Sequence, residues 1–299
     1  MFELTPKSGG GWTEKILYSF HNSGTGPNNP EGLIFDAAGN LYGPSGGGFY
    51  GNGAVFELSP KAGGGWAAKT LHSFGAFPTD GLNPIGGLVL DGAGNIYGTT
   101  YMGGAHTASN DGGTMFELIA PAAGGRWTEK VLHSFGIFPD GWDPFGGLVM
   151  DGAGNFYGMT FNGGVNDTAN TGGTVFELSP TGSGGWTETV LHNFSDNHMD
   201  GFWPGAGLTL DAAGNLYGTA QAGGVYETGP DYVRGVLFEL TPPAAGTTTW
   251  TETILHCFGA GKDGQDPNSN VILDGSGNFY GTTNRGGTYG GGTVFEVTP

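Results

Sequence analysis

The nine residues Gly-Gly-Thr-Val-Phe-Glu-Leu-Ser-Pro at 172–180 decide the fold, because versions of this segment recur along the whole chain. The glutamate of the segment is found at Glu3, Glu57, Glu117, Glu177, Glu239 and Glu296. A second segment, Asp-x-x-Gly-Asn-apolar-Tyr-Gly, begins at Asp36, Asp91, Asp151, Asp211 and Asp274, and a third is anchored by Trp12, Trp66, Trp127, Trp186 and Trp250. The sequence therefore contains five periods of about 60 residues, and a fixed period indicates a repeat architecture.

Each period contains four short runs that are apolar or alternating and bounded by Gly, Pro, Asn or Asp, which is the pattern of β-strands. In the third period these runs are 147–151, 155–160, 174–178 and 186–194. Long helices are disfavoured because 64 of the 299 residues are Gly and 17 are Pro. A lone four-stranded unit would leave both faces exposed, whereas radial packing buries them. The sequence therefore predicts an all-β fold, a β-propeller.

The number of strands of each type predicts how the ring closes. We name the strands of a period a to d from the channel outward, and we find five each of a, b and d but six of c. Placing 293–297 beside the Trp strand at 12–20 closes five four-stranded blades with the N- and C-terminal strands and leaves 2–4 surplus. Six blades, using the surplus strand, is the alternative.

We expect a single propeller domain over residues 1–299. Its repeats lie at about 1–53, 54–113, 114–173, 174–235 and 236–292, with a closing strand at 293–299. Met1 aligns with Val55 and Val175, in the middle of a strand, which favours an excised domain or an internal start within a longer array.

Three segments together carry a family resemblance. They are 172–180, the Asp-Gly-x-x-Pro segments (80–84, 140–144, 200–204 and 263–267) and Gly-Asn-apolar-Tyr-Gly-Thr-Thr (94–100 and 277–283). This combination resembles the bacterial GloVer tandem repeat over essentially the whole chain, and the Gly-Leu-x-x-Asp and Gly-Asn-x-Tyr pairing also resembles NHL-type propeller blades. GloVer members are mostly predicted exported proteins with variable surface anchors. The resemblance therefore implies an extracellular or cell-surface setting, and it transfers no catalytic residue.

The charge of the chain limits its partners. It has 9 Lys+Arg against 27 Asp+Glu, a net charge of −18, which repels nucleic acid and anionic membranes and attracts cations. The single Cys257 excludes an intrachain disulfide. No apolar run approaches the roughly 18 to 20 residues of a membrane span, and the N-terminus lacks signal-peptide regions. We expect a monomer that binds neither nucleic acid nor membrane.

The d-to-a loops are the main candidates for a metal site. Together with the b-to-c loops they lie on one side of a propeller, which we call the mouth side, where loops converge near the axis. They carry Asp80, Asp140, Asp200 and Asp263. Carboxylates in this number suit Ca²⁺, which takes roughly six to eight oxygen ligands. Asp-Gly is also an ordinary turn dipeptide, so these loops predict either a calcium site assembled from several blades or turns alone.

Residues that depart from the repeat are candidates for a specific function. His21 and His198 are unrepeated loop histidines, and a histidine beside a metal-held water is a suitable general base. The candidate substrate-binding aromatic residues are Tyr101, Trp142, Trp203, Tyr226 and Tyr232. These features predict a calcium-dependent hydrolase of lactone or ester type, similar in plan to propeller lactonases. The alternative is a non-catalytic extracellular module that binds glycan or protein through the aromatic residues.

Two repeated features have structural explanations. The Asp of Asp-x-x-Gly-Asn can accept backbone N–H bonds across a tight turn. Histidines repeat at one position of strand d, with Tyr18 in the remaining repeat: His72, His133, His192 and His256. We expect each histidine to pair with the glutamate of strand c at the outer rim. Zinc binding would need converging ligands, whereas the histidines are spread around the circumference.

Overall fold

The computed structural model describes residues 1–21, 24–106, 112–122, 125–167, 172–195, 199–226 and 234–299. Within these ranges every regular element is a β-strand, so the prediction of an all-β fold is confirmed. No helix long and apolar enough to cross a membrane occurs in the described ranges.

The strands form an N-terminal hairpin and five blades. The hairpin consists of β1 (Phe2–Pro6) and β2 (Trp12–Ile16). Blade 1 consists of β3 (Pro27–Pro30), β4 (Ile34–Phe35), β5 (Leu41–Gly47), β6 (Ala54–Pro60) and β7 (Trp66–Ser73). Blade 2 consists of β8 (Gly81–Leu90), β9 (Ile96–Gly103), β10 (Thr114–Ile119) and β11 (Thr128–Ser134).

The remaining blades follow the same order. Blade 3 consists of β12 (Gly141–Pro144), β13 (Val149–Met150), β14 (Phe156–Gly163), β15 (Thr174–Pro180) and β16 (Trp186–Asn193). Blade 4 consists of β17 (Gly201–Phe202), β18 (Thr209–Leu210), β19 (Leu216–Ala220), β20 (Ala222–Gly223), β21 (Val236–Thr241) and β22 (Thr251–Cys257). Blade 5 consists of β23 (Gly264–Pro267), β24 (Ile272–Leu273), β25 (Phe279–Gly286) and β26 (Thr293–Val297).

Strand pairing runs a, b, c, d in blades 1 to 4 and a, b, c in blade 5, and the ladders are antiparallel. In blade 3, β12 and β13 are two pieces of strand a and both pair with β14, which pairs with β15, which in turn pairs with β16. The prediction of a five-bladed β-propeller is confirmed.

The two ends of the chain pair differently from the predicted closure. The strand β2 pairs with β1, and β26 pairs with β25. The residues at 2–4 are therefore part of a hairpin and not surplus. Val294 of β26 is 82% exposed, whereas Val55 and Val175, at the same position of other blades, are fully buried. The c strand of blade 5 thus lacks the cover that the other c strands have.

Phenylalanines join neighbouring blades. The ring of Phe176, on β15, lies 4.9 Å from the ring of Phe135, which directly follows the outer strand of blade 2. The same contact recurs at Phe20–Phe56, Phe74–Phe116, Phe194–Phe238 and Phe258–Phe295. Because side chains alternate along a strand, Phe176 faces the preceding blade and Val175 packs toward the next one. This alternation explains why Val-Phe is repeated.

The Asp-x-x-Gly-Asn segment forms the tight turn that the sequence predicts. Oδ1 of Asp151 accepts bonds from the backbone N–H groups of Ala153 and Asn155, at 2.8 and 2.9 Å. Oδ2 accepts bonds from Asn155 Nδ2 and the Tyr157 hydroxyl, at 2.9 and 3.1 Å. Burial opposes the ionised carboxylate, but these bonds outweigh it and lower the pKa of Asp151. The turn is therefore a structural element of each blade.

Glycines bring the inner strands of neighbouring blades into backbone contact. A Cβ atom added to Gly146 of blade 3 would collide with the carbonyl oxygen of Ala206 in blade 4, and one on Gly147 would lie 2.8 Å from the amide nitrogen of Gly87 in blade 2. The Thr99 hydroxyl of blade 2 donates a hydrogen bond to the Gly146 carbonyl oxygen of blade 3, at 3.3 Å. Glycine is required here because any side chain would separate the blades at the axis.

Candidate functional site

Three sets of ionisable side chains lie at the boundaries between blades. In each set the His is on the outer strand of one blade, the Asp is in the following loop, and the Glu is on the outer strand of the next blade. We call them the His–Asp–Glu sets: His72–Asp80–Glu129, His133–Asp140–Glu188 and His192–Asp200–Glu252. In each set, one ligand atom per residue lies within 4.8 Å of the other two. Each set is therefore compatible with a bound metal ion.

The Asp of each set also holds its own loop. Oδ2 of Asp80 accepts hydrogen bonds from the backbone N–H groups of Gly75 and Ala76, at 2.7 and 2.8 Å. The same oxygen of Asp140 lies 3.0 Å from His133 Nε2 and accepts a bond from the Gly136 N–H at 3.2 Å. These Asp-Gly loops are thus turns, and the Oδ1 atoms of Asp80 and Asp140 are buried without a hydrogen-bond partner.

The first set contains buried atoms without a hydrogen-bond partner. The side chains of Asp80 and Glu129 are 0% and 3% exposed, and that of His72 is 15% exposed. Nε2 of His72, Oδ1 of Asp80 and Oε1 of Glu129 are buried and make no hydrogen bond. Nε2 of His72 lies 4.0 Å from Asp80 Oδ1 and 3.7 Å from Glu129 Oε2, too far for direct hydrogen bonds.

Burial and like charge shift the protonation of these groups. Burial, followed by the charge of Asp80, raises the pKa of Glu129 to about 8, and burial with the charge of Asp140 does the same for Glu188. Burial lowers the pKa of His72 despite the nearby Asp80. Burial also disfavours the charged form of His192. The hydrogen bond with Asp200 and the charges of Glu252 and Asp200 outweigh burial, so the pKa of His192 is raised.

The three residues of a set are replaced together in the repeat that lacks the histidine. His256 on the outer strand of blade 4 and Asp263 in the following loop are hydrogen-bonded at 2.9 Å. In the described ranges blade 5 has no outer strand, so the next glutamate at the equivalent position around the ring is Glu14 of β2. At the boundary between hairpin and blade 1 the corresponding residues are Tyr18, Gly26 and Ala68. All three ionisable groups are replaced together at that boundary, so they depend on one another.

The expected pairing of these histidines with strand c is wrong. His72 lies opposite Val55, and the strand-c glutamates contact other residues, as Glu117 does by accepting a bond from the Tyr97 hydroxyl at 3.0 Å. A β-bulge explains the difference. Met115 pairs with His133 while Phe116 pairs with Val131, so the register shifts within the ladder and Glu129 and His133, four residues apart, join sets on opposite sides of their blade.

A run of aromatic rings crosses three blades on the mouth side. Tyr101 and Phe145 have ring centres 5.7 Å apart, Phe145 and Phe161 5.8 Å, and Phe161 and Trp203 6.0 Å with an interplanar angle of 6°. We call these four residues the aromatic arc. Phe145 is 37% exposed, and the other three are partly exposed. The arc is a continuous apolar surface, partly open to solvent.

Trp203 has a backbone conformation that is unusual for its residue type. Its φ is 58°, in the left-handed region. The same position in other blades is held by Asn83, Asp143 and Asp266, with φ between 56° and 59°. Asn and Asp tolerate this region, whereas a bulky residue there is strained by roughly 1 kcal/mol or more. Blade 4 thus keeps a tryptophan in the arc at a conformational cost.

The other predicted site residues are placed as follows. His21 is exposed, and Tyr226 is 45% exposed. Trp142 packs against Gly163, where its ring would lie 2.6 Å from an added Cβ, and it has no ring contact with the arc among the contacts described. His198 and Tyr232 lie outside the described residues. The predicted assignments of His21 and His198 as catalytic, and of Asp80, Asp140, Asp200 and Asp263 as metal ligands, stay predictions.

Comparison with solved structures shows several enzymes with a similar arrangement. A gluconolactonase from Xanthomonas campestris has a TM-score of 0.48 and 13% identity, over 90% of this chain and 72% of the other. A Trypanosoma rangeli sialidase has a TM-score of 0.50 and 12% identity, over 99% of this chain but only 50% of its own length. A luciferin-regenerating enzyme has a TM-score of 0.41 and 13% identity, over 93% and 94%. At 12% identity the likeness to the sialidase is one of fold.

The sequence itself has a specific match. No curated protein matches the chain. The family model of the Gloeobacter/Verrucomicrobia repeat matches residues 1–232, which include four of the five Asp-x-x-Gly-Asn turns and all three His–Asp–Glu sets except Glu252. This confirms the resemblance carried by the repeated segments. The chain belongs to the Gloeobacter/Verrucomicrobia repeat family.

Proposed function

We propose that the chain is a carbohydrate-binding β-propeller whose aromatic arc holds the sugar. The observation that carries this proposal is the strained Trp203, stacked on Phe161 at an interplanar angle of 6° and placed where other blades have Asn or Asp. Strained residues cluster at ligand sites because the surrounding structure must support them. Flat, partly exposed rings suit the apolar faces of sugars, and the net charge of −18 favours neutral over anionic ones.

The test uses a substitution that the repeat itself supplies. Trp203→Asn installs the residue type of Asn83, which adopts the same φ, so the backbone should be kept while the ring and its packing against the core are removed. We expect a glycan array to identify neutral oligosaccharides, and Trp203→Asn and Phe161→Ala to weaken their binding at least tenfold. Tyr289→Ala, at a side chain 98% exposed in blade 5, is the control and should bind as wild type. No glycan bound above background, or equal binding by Trp203→Asn, would overturn the proposal.

A cation-dependent lactone or ester hydrolase is the second candidate. Its support is the presence of Asp80, Asp140 and Asp200 in groups compatible with a metal ion, together with the exposed histidine His21. In this mechanism the cation, expected from the sequence to be Ca²⁺, would polarise the carbonyl group while His21 or His198 moves the proton. Hydrolysis across a lactone panel that stops with chelator and returns with Ca²⁺ is the expected result. Absent or chelator-insensitive hydrolysis would contradict it.

The cellular location and the oligomeric state are part of the same proposal. Binding of carbohydrate by an acidic repeat protein fits an extracellular or cell-surface location, as the resemblance implied. A monomer with no nucleic-acid partner is expected from the charge. Fractionation of cells and size-exclusion chromatography with light scattering test both expectations.

A further inference from the structure

We propose that the His–Asp–Glu sets are three zinc-type metal sites that join neighbouring blades. Each would take a first-row divalent cation such as Zn²⁺ through one imidazole nitrogen and two carboxylate oxygens. The inference rests on the sets themselves and is independent of the aromatic arc.

The first observation is the direction and burial of the ligand atoms. Nε2 of His72, Oδ1 of Asp80 and Oε1 of Glu129 are buried without a hydrogen-bond partner. The Glu129 side chain is 3% exposed and is directed at the other two residues, with its Oε2 atom 3.7 Å from His72 Nε2. Burying a polar or charged group without a partner costs several kcal/mol, in the range of roughly 2 to 7 for a neutral one. A shared cation would bind the histidine nitrogen and one oxygen of each of the two carboxylates.

The second observation is the spacing. A tetrahedral Zn²⁺ with ligands at about 2.0 to 2.2 Å holds neighbouring ligand atoms about 3.4 Å apart. Nε2 of His72 is 4.0 Å from Asp80 Oδ1 and 3.7 Å from Glu129 Oε2, and Nε2 of His192 is 3.5 Å from Asp200 Oδ2 and 3.6 Å from Glu252 Oε1. The two His72 separations are long for hydrogen bonds, and all four separations exceed the zinc spacing by about 0.1 to 0.6 Å. Small side-chain rotations would bring the ligands to an ion.

The third observation is charge and donor type. Two carboxylates enclosed at one blade boundary need either a proton or a cation to balance them. One nitrogen and two oxygen donors suit Zn²⁺ or Mn²⁺, whereas Ca²⁺ takes about six to eight oxygen ligands. The donor set therefore favours a different ion from the Ca²⁺ that the acidic loops suggested.

The fourth observation is the joint replacement. Where Tyr18 stands in place of the histidine, Gly26 and Ala68 stand in place of the Asp and the Glu. Loss of one ligand makes the other two buried charges unfavourable, so a site should be kept or lost as a whole. The hairpin–blade 1 boundary fits that rule.

Metal titration of the full chain tests the proposal. Chelator-treated protein is equilibrated with Zn²⁺, washed and analysed for metal, and the titration is repeated with Ca²⁺. We expect close to three Zn²⁺ per chain, a raised melting temperature with Zn²⁺ but not with Ca²⁺, and visible absorption bands on Co²⁺ addition. Fewer than one Zn²⁺ per chain would overturn the proposal.

A single substitution separates a metal site from a shared proton. Glu129→Gln keeps the shape of a protonated glutamic acid and its ability to donate a hydrogen bond, but it removes a ligand. A metal site predicts loss of one of the three Zn²⁺ and a smaller zinc-induced rise in melting temperature. Glu117→Gln, on the neighbouring strand of the same blade and outside the sets, is the matched control. Equal zinc binding by wild type and Glu129→Gln would show that Glu129 is not a ligand and would overturn this site.

Discussion

Nε2 of His72 in blade 1 lies 3.7 Å from a carboxylate oxygen of Glu129 in blade 2, so one ionisable contact spans the boundary between two blades. His192 and Glu252 make the same kind of contact at 3.6 Å, and the ligand atoms of His133 and Glu188 lie within 4.8 Å of each other. Protonation at these boundaries is consequently linked to how tightly neighbouring blades hold together.

The first prediction concerns alkaline pH in metal-free protein. The pKa values of Glu129 and Glu188 are raised to about 8 from a reference of 4.5, because burial and a neighbouring Asp favour the protonated form. Folding then binds protons, so the stabilisation is fully present below pH 4.5 and is lost as the pH rises toward 8. We expect the free energy of unfolding to fall between pH 5 and 8, by urea denaturation with chelator.

The control for this pH dependence is a variant that cannot titrate at these positions. Glu129→Gln combined with Glu188→Gln should flatten the decline. An unchanged slope in the double variant would show that other groups cause it.

The second prediction concerns the turn between strands a and b. The pKa of Asp151 is lowered by its hydrogen bonds to Asn155, Ala153 and Tyr157. A lowered pKa contributes stability that is present above the unfolded value of 3.8 and is lost as the pH falls further. Asp151→Ala should cost about 1 to 3 kcal/mol at pH 7 and less below pH 3, by urea denaturation at each pH. An equal cost at both pH values would contradict the assignment of these bonds.

The third prediction concerns the glycines near the axis. Gly146→Ala places a methyl group against the Ala206 carbonyl oxygen, which belongs to the backbone and cannot rotate away. We expect a loss of about 1 to 3 kcal/mol or more in urea denaturation, the usual range for overpacking. Gly152→Ala is the control, since no atom lies within 4 Å of the added Cβ. Similar stabilities for the two variants would mean that the inner strands are less tightly packed.

The fourth prediction compares one strand position in two blades. Val175 is fully buried and Val294 is 82% exposed. Removing two methyl groups from a packed site costs roughly 2 kcal/mol, whereas removing them from an exposed site costs under about 0.5. Val175→Ala should therefore lower the melting temperature, and Val294→Ala should not. A comparable loss for Val294→Ala would show that blade 5 is covered in solution.

The fold could be predicted because its determinants are local and repeated. The alternation of Val175 and Phe176 identifies strand c, and Asp151 with Asn155 identifies the turn before strand b. In both cases neighbouring residues in the sequence act on one another, so their spacing alone contains the information.

The sets between blades could not be predicted in the same way. Glu129 belongs to a set with His72, 57 residues earlier, and a β-bulge separates it from the nearby His133. Simple alternation along the strand would place Glu129 and His133 on one face. The one signal in the sequence was the joint replacement by Tyr18, Gly26 and Ala68.

The aromatic arc on the mouth side could be predicted only in part from the sequence. Tyr101 and Trp203 could be named because they depart from the repeat. The stacking of Trp203 on Phe161 and the contribution of Phe145 depend on how blades 2, 3 and 4 face one another, which the sequence of a single blade does not contain.

Because Tyr18, Gly26 and Ala68 replace a complete set near one end of the chain, the boundaries between the repeated units are not chemically equivalent. Alkali or a chelator would loosen the boundaries that carry charged sets, while the hairpin would stay attached to blade 1 through Phe20 and Phe56. Unfolding under those conditions would start at the three boundaries among blades 1 to 4, which carry the sets. The contact between the hairpin and blade 1 would outlast them, so a molecule of similar blades would come apart in a fixed order.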